Sequence, residues 1–174
     1  MTIFNLPMVI PARKAWNHGR IIGQKRPLLP KHVWAIRVRL ELAGAIRELA
    51  LFNLAIDSKF EITGGTRKAL VDWIGRPLMT GHEYLWPGRF RDRQHISTRQ
   101  YARLVKNWVQ SIGLEPSAYG THSLRRTKVA EIYRKTGNLR AVQLLLGHTK
   151  MDSTVRYLGV ELEDALSISE SVEI

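Results

Sequence analysis

Residues 120–160 read GTHSLRRTKVAEIYRKTGNLRAVQLLLGHTKMDSTVRYLGV, and this stretch decides the fold of the chain. Its apolar residues recur at helical spacing, which predicts one helix from about residue 123 to residue 136 and a second that begins after the capping Asn138. Gly147 ends the second helix, and one more short helix follows. The stretch therefore predicts three consecutive helices that belong to a helical core.

Four polar residues of this stretch form a pattern that suits phosphate chemistry. His122 and Arg125 stand three residues apart, so they share a helix face where an imidazole and a guanidinium can meet one anionic group. His148 follows a Leu-Leu-Gly sequence, and Tyr157 comes nine residues after His148. Each residue alone has a commoner structural explanation, such as a half-buried core tyrosine or a solvated helix arginine. Only their joint order and spacing favour a functional site.

This segment resembles the tyrosine recombinases, the phage integrase family, whose signature is H-x-x-R, then L-G-[HW], then a nucleophilic tyrosine nine residues later. All these elements occur here in order and at the family spacing. The resemblance covers about residues 31–174 and implies a mainly α (α+β) catalytic domain, with a helical core and a small β-sheet. It also implies site-specific recombination or integration of double-stranded DNA by a homo-oligomer, a tetramer on paired sites.

The resemblance assigns a catalytic role to each of the four residues. Tyr157 would attack a DNA phosphorus, forming a 3′-phosphotyrosyl link and freeing a 5′-hydroxyl. Arg125 would hold the nonbridging oxygens, more tightly as charge builds in the transition state. His122 and His148 would donate hydrogen bonds to the phosphate or move the proton of the nucleophile. This reaction needs no cofactor or metal, and the sequence has no P-loop and no HExxH pair.

The sequence departs from the family where a first catalytic arginine and a hairpin with a catalytic lysine are expected. Only eight residues, 58–65, separate the segment LFNLAID from the next predicted helix at Thr66. At about 3.3 Å per residue they can form one strand, at residues 60–63, and a turn, so we expect the small β-sheet to be reduced or missing. Arg47 is a weak candidate for the first arginine, with a surface helix arginine as the other interpretation. Lys59 is a still weaker stand-in for the lysine.

Composition independently favours an anionic partner. The chain has 27 Lys and Arg against 15 Asp and Glu, a formal net charge of +12, and the basic residues recur throughout. This favours nucleic acid before membrane, although a merely basic, soluble protein would have the same composition. The absence of cysteine excludes disulfides, thiolate metal sites and cysteine nucleophiles. No apolar run reaches the roughly 18 residues of a membrane helix, so we expect a soluble, cytoplasmic protein.

The parts of the chain that precede the motif divide at residue 30. Residues 1–30 hold four of the seven prolines and a basic cluster, which predicts an irregular basic arm before a single catalytic domain, residues 31–174. That domain opens with two predicted helices that meet near Gly44, with Trp34 and Phe52 as core candidates.

The clearest amphipathic pattern lies just before the motif, and an acidic tail follows it. A helix is predicted to begin at Ser97 and to stop at Gly113, with Tyr101 on its apolar stripe as a core residue. The tail ELEDALSISESVEI either folds back on its own core or, as the resemblance implies, docks onto a neighbouring subunit.

Three functions are consistent with these observations. The first is a recombinase that acts through Tyr157, impaired if the first arginine and the lysine are lost. Losing one preorganised cationic donor costs about 10² to 10³ in rate, and losing the group that protonates the leaving oxygen adds about 10² to 10⁴. The second is a catalytically inactive, DNA-binding relative with an internal deletion. The third is a basic helical protein that binds RNA by charge alone.

Overall fold

The regular elements of this computed structural model are helices. It describes residues 25–58, 60–88 and 94–158. Seven α-helices occur in these residues: α1 (Pro30–Leu42), α2 (Ile46–Asp57), α3 (Gly64–Ile74), α4 (Thr98–Ser111), α5 (Thr121–Thr136), α6 (Leu139–Leu146) and α7 (Met151–Leu158). Short 3₁₀ turns lie at Pro77–Met79 and Pro116–Ala118. No strand occurs in this part of the chain, so the prediction of a mainly α domain with a missing sheet is confirmed, whereas the strand predicted at 60–63 is wrong.

Helix α2 lies at the centre of the domain and packs against α1, α3 and α5. Its segment LALFNLAI is almost entirely apolar, as expected for a helix that is covered on several sides. Phe52 is fully buried, as predicted, and its ring meets the indole of Trp108 on α4 edge to face, with 5.4 Å between the ring centroids. The Trp108 indole N–H donates to the Glu48 carboxylate at 2.6 Å, which ties α4 to the first turn of α2.

Trp34 is not a core residue, contrary to the prediction. Helix α1 buries Val33, Ile36 and Leu40, whose spacing of three and four residues defines one face. Trp34 follows Val33 by one residue, about 100° around the helix axis, and its side chain is 69% exposed. Helical spacing therefore predicted the helix correctly, but it placed Trp34 on the buried face, which was wrong.

The last residues of the predicted arm are irregular, and they are docked onto the domain. Leu28 is only 1% exposed and belongs to the main core cluster. Its backbone N–H donates to Thr127 Oγ1 at 3.0 Å, and the Arg26 N–H donates to the Ala118 carbonyl at 3.0 Å. Core packing thus begins before α1, while residues 1–24 of the arm lie outside the described residues.

A buried carboxylate joins three helices at the junction between α2 and α3. Asp57 ends α2 and is 2% exposed. One of its oxygens accepts hydrogen bonds from the Thr63 N–H, the Thr63 hydroxyl and the Thr66 hydroxyl, and the other accepts from Lys128 Nζ on α5 at 2.8 Å. The cap of α3 is Thr63 instead of the predicted Thr66, which is buried inside this network. Lys59 lies outside the described residues.

None of the helices in the described ranges is both long and apolar enough to cross a membrane.

We predict that the Asp57 network contributes stability that acid removes. Burial by itself raises the pKa of Asp57, but the hydrogen bonds from Lys128, Thr63 and Thr66 outweigh it and lower the pKa to about 2. The pKa of this carboxyl in the unfolded chain is about 3.9. The stabilisation is therefore complete above that pH and is lost as the pH falls toward 2. Asp57→Asn should lower the free energy of unfolding at neutral pH by about 3 kcal/mol, measured by urea denaturation.

The unmodified protein should lose the stabilisation by the Asp57 network between about pH 4 and pH 2, and the Asp57→Asn variant should not show this loss. Asp72→Asn is the matched control, because its carboxylate pairs with Lys68 on an exposed surface at 2.9 Å. An Asp57→Asn variant as stable as the Asp72→Asn variant would show that the network is not a stabilising junction.

Candidate active site

The first turns of α5 present His122 and Arg125 to solvent. Gly120 precedes the helix, and its N–H donates to Ser123 Oγ at 3.0 Å, which closes the first turn. Both His122 and Arg125 are exposed and stand three residues apart within α5, so the predicted shared face exists. Arg125 also lines a cavity of about 280 Å³, whose other walls come from α2, from α4 and from the segment before α4.

His148 lies in the turn between α6 and α7 and is held on both sides. Gly147 ends α6 with a φ of 69°, a left-handed conformation that glycine adopts without strain, as the sequence predicted. The Gln143 side-chain amide donates to the carbonyls of His148 and Thr149 at 3.0 and 3.3 Å. His148 Nδ1 lies 3.1 Å from the buried Thr154 hydroxyl, so the direction of the imidazole ring is set by α7.

Tyr157 is half-buried on α7 and packs against His148. The two rings meet edge to face, with 5.7 Å between their centroids. The guanidinium carbon of Arg126 lies 5.6 Å from the centroid of the Tyr157 ring. Among the described residues, the phenol oxygen of Tyr157 is buried without a hydrogen-bond partner. Burial raises the pKa of Tyr157, and the positive charges of Arg126 and Arg125 oppose that rise.

The structure thus brings three of the four predicted residues into one neighbourhood. His148 and Tyr157 are in contact, and Arg125 is near enough for its charge to affect the pKa of Tyr157. His122 shares the exposed face of α5 with Arg125, but its ring makes no hydrogen bond or ring contact within the described part of the chain. The arrangement combines a phenol, an imidazole and a guanidinium, which is chemistry suited to a phosphate ester.

Tyr101 lies at the wall of the same cavity, in agreement with its prediction as a core residue. It is partly buried and packs against the main core cluster. Burial raises the pKa of Tyr101 to about 12, against a smaller opposing effect of the Arg125 charge. Because the ring packs against this cluster, the role of Tyr101 is packing.

Arg126 is the residue of this site that the sequence analysis missed. It is 6% exposed, although arginine is rarely buried. The signal was its position three residues before Val129, because this places a charged residue on the apolar stripe that α5 turns toward the core. The sequence analysis assigned the catalytic role to the neighbouring Arg125, because Arg125 is the arginine of the family motif H-x-x-R.

Arg47 has a set of contacts that is separate from this neighbourhood. Its Nη2 donates to the Pro87 carbonyl at 2.7 Å, and its guanidinium carbon lies 5.9 Å from the centroid of the Trp73 ring. It lines a second cavity, of about 430 Å³, between the start of α2 and the end of α3. These contacts describe a packed, half-buried arginine, and its assignment as the first catalytic arginine stays a prediction.

The fold and the motif together define the catalytic-domain class of the tyrosine recombinases. The structure superimposes on the crystal structure of XerA recombinase with a TM-score of 0.66, 14% identity, and coverage of 88% of this chain and 66% of that one. It superimposes on XerH recombinase bound to its difH substrate with a TM-score of 0.61, 13% identity, and coverage of 86% and 55%. At these identities the similarity concerns the fold.

Sequence comparison places the chain in a family. The sequence model of the phage integrase family matches residues 57–163, more than half of the 174 residues. The chain therefore belongs to the phage integrase family, as the motif predicted.

Individual relatives are similar over shorter stretches. Probable integrase/recombinase YoeC of Bacillus subtilis (strain 168) is 34% identical over 83 residues, covering 48% of this chain and 44% of YoeC. Tyrosine recombinase XerD of Xanthomonas axonopodis pv. citri (strain 306) is 34% identical over 65 residues, covering 37% and 21%. The chain thus spans less than half the length of these curated relatives.

We predict that Tyr157→Phe stabilises the domain. The hydroxyl is buried without a partner in the described residues, so its removal eliminates a desolvated polar group and keeps the ring. The free energy of unfolding, measured by urea denaturation, should rise by about 1 kcal/mol. Tyr133→Phe is the control, because Tyr133 is a half-buried tyrosine whose hydroxyl is not a buried, unpaired group. A Tyr157→Phe variant that is less stable would contradict the observed placement of the phenol.

Proposed function

We propose that this chain binds double-stranded DNA and cuts and rejoins it through Tyr157, as a homo-oligomer on paired sites, a tetramer in the complete assembly. The observation that carries the proposal is the contact of Tyr157 with His148 beside the positive charges on α5. The family membership and the net charge of +12 support it. A cytoplasmic location, expected from the sequence, is part of the proposal.

The proposed reaction transfers one phosphoryl group and needs no cofactor. Arg125 and His122, on the exposed face of α5, bind the nonbridging oxygens of a DNA phosphate. The phenol oxygen of Tyr157 attacks the phosphorus, a P–O bond to tyrosine forms, and the bond to the 5′-oxygen breaks. His148 accepts the phenol proton, and the leaving 5′-oxygen takes up a proton from water. Rejoining reverses these steps, because the phosphotyrosyl link keeps the energy of the broken bond.

The buried phenol sets a condition for this reaction. The oxygen of Tyr157 is out of contact with solvent in the free protein. The phenol oxygen must therefore be uncovered when DNA binds, with the Tyr157 ring still beside His148 and Arg126.

We further propose that cleavage is slow. The described residues contain no strand, and so no hairpin to carry the lysine of the family. Loss of the first arginine and loss of the lysine would each reduce the rate by about 10² or more. The same observation favours a second candidate function, a DNA-binding relative that occupies sites without cutting them. The two candidates differ in whether a covalent DNA adduct forms.

We predict a trapped covalent adduct on a nicked, double-stranded DNA substrate from which the short fragment with the new 5′-hydroxyl diffuses away. Denaturing gel electrophoresis should show a slow-migrating protein–DNA species that Tyr157→Phe abolishes. Arg125→Ala should reduce its rate of formation by about 10² to 10³, because it removes the main cation at the phosphate. Tyr133→Phe, which alters another tyrosine packed on the same hydrophobic cluster as Tyr157, should leave the adduct unchanged.

Two outcomes would contradict the proposal. An adduct that persists in Tyr157→Phe would refute the nucleophile. Salt-dependent DNA binding without any adduct, at all protein concentrations tested, would establish the DNA-binding relative instead.

We predict that Arg47→Gln affects stability more than adduct formation. The loss of the hydrogen bond to Pro87 and of the contact with Trp73 should lower the free energy of unfolding by about 1 to 2 kcal/mol. Adduct formation at a temperature where the variant is folded should be close to that of the unmodified chain. A loss of about 10² or more in the adduct rate would instead identify Arg47 as the first catalytic arginine.

A further inference from the structure

A buried arginine lies between the proposed nucleophile and the segment before α1. The guanidinium carbon of Arg126 is 5.6 Å from the centroid of the Tyr157 ring. The same guanidinium donates a hydrogen bond to the backbone carbonyl of Lys25. Arg126 therefore contacts α7 and the segment 25–28 at the same time, from a position on α5.

We infer that Arg126 is a positioning residue for Tyr157, whose ring it holds against α5 from an anchorage on the segment 25–28. This inference rests on the proposed function, because it concerns the placement of the proposed nucleophile. It assigns a role to a residue outside the signature H-x-x-R.

The burial of Arg126 argues for a specific role. A guanidinium is costly to bury unless its charge and its N–H groups are compensated, so an apolar side chain would fill this space more easily. Here the carbonyl of Lys25 takes one N–H group, and the face of the Tyr157 ring meets the charge. A rigid, planar cation held in this way can fix the ring of a tyrosine on a short helix.

The charge of Arg126 also acts on the chemistry of the phenol. Burial raises the pKa of Tyr157, and the nearby positive charge of Arg126 is the larger of the two influences that oppose it. A cation next to the ring favours the phenolate, which is the form that attacks phosphorus. Neutralising Arg126 while keeping its bulk should therefore raise the pKa of Tyr157 further.

A neighbouring residue separates this role from simple anchoring. Thr127 fixes the same segment, because its hydroxyl accepts the Leu28 N–H at 3.0 Å. Arg126 and Thr127 thus both hold the segment 25–28, but only for Arg126 is a contact with the Tyr157 ring observed. Thr127→Val removes one anchor and leaves the arginine in place, which makes it the matched control.

The test replaces the tyrosine at position 157 by 3-fluorotyrosine in the full chain and follows its fluorine NMR signal against pH without DNA. Fluorination lowers the pH at which the phenol ionises, so the titration lies where the protein is folded. Arg126→Met should move the signal and raise the titration midpoint, because the charge is lost. Thr127→Val should change neither. Arg126→Lys, which keeps the charge and loses the planar fork, should move the signal with a smaller change in midpoint.

Two results would overturn the inference: an unchanged midpoint in folded Arg126→Met, or an equal change in Thr127→Val, which would reduce Arg126 to an anchor. If Arg126→Met does not fold, an unchanged fluorine signal in Arg126→Lys overturns the inference in its place. In chains with the natural Tyr157, Arg126→Met should slow adduct formation about 10-fold to 100-fold through misplacement of the nucleophile. The NMR readout needs no cleavage, so a chain that forms no adduct would refute the recombinase proposal and leave this test intact.

Discussion

The ion pair of the buried Asp57 with the half-buried Lys128 is the interaction on which the rest of this domain depends. It joins the end of α2 to α5, and its threonine partners add the start of α3. The described residues contain no sheet, and this network is a polar link between α2, α3 and α5. Lys128 follows Arg125 by one helical turn, so the pair also fixes the face of α5 on which Arg125 stands beside α2.

The candidate site has a packed part at His148 and Tyr157 and an open part at the exposed cations of α5. His148 and Tyr157 are packed together, and hydrogen bonds hold the turn that carries His148. His122 and Arg125, by contrast, are exposed on α5. In the proposed function this division is useful, because exposed cations can exchange water for phosphate oxygens, whereas a buried phenol is protected until the DNA arrives.

Arg126 links the residues before α1 to the Tyr157 ring on α7. The segment 25–28 is irregular, yet it is bonded to α5 and to the turn before it, and its carbonyl at Lys25 helps hold the buried guanidinium. A change in this segment can therefore reach the Tyr157 ring through one side chain. The segment 25–28 and the Tyr157 ring are in this sense parts of one structural unit.

The sequence by itself determined the elements whose causes are local. Gly147 ends α6, Ser97 caps α4 through its hydroxyl, and Phe52 is buried, because caps and helical periodicity depend on residues within a turn or two. The motif spacing likewise identified the family, since a signature is a property of the chain. The absence of a sheet from the described residues was expected from the few residues available between α2 and α3.

The tertiary structure alone decided which distant residues meet. Asp57 pairs with Lys128 across 71 positions, and Arg126 reaches Lys25 across 101, and no local pattern indicates which residue is the partner of which. Trp34 is exposed because α1 turns the face with Val33, Ile36 and Leu40 toward the core, and only packing decides which face that is. The physical reason is the range of the interactions: caps and periodicity act within a few residues, whereas burial and pairing depend on how whole helices come together.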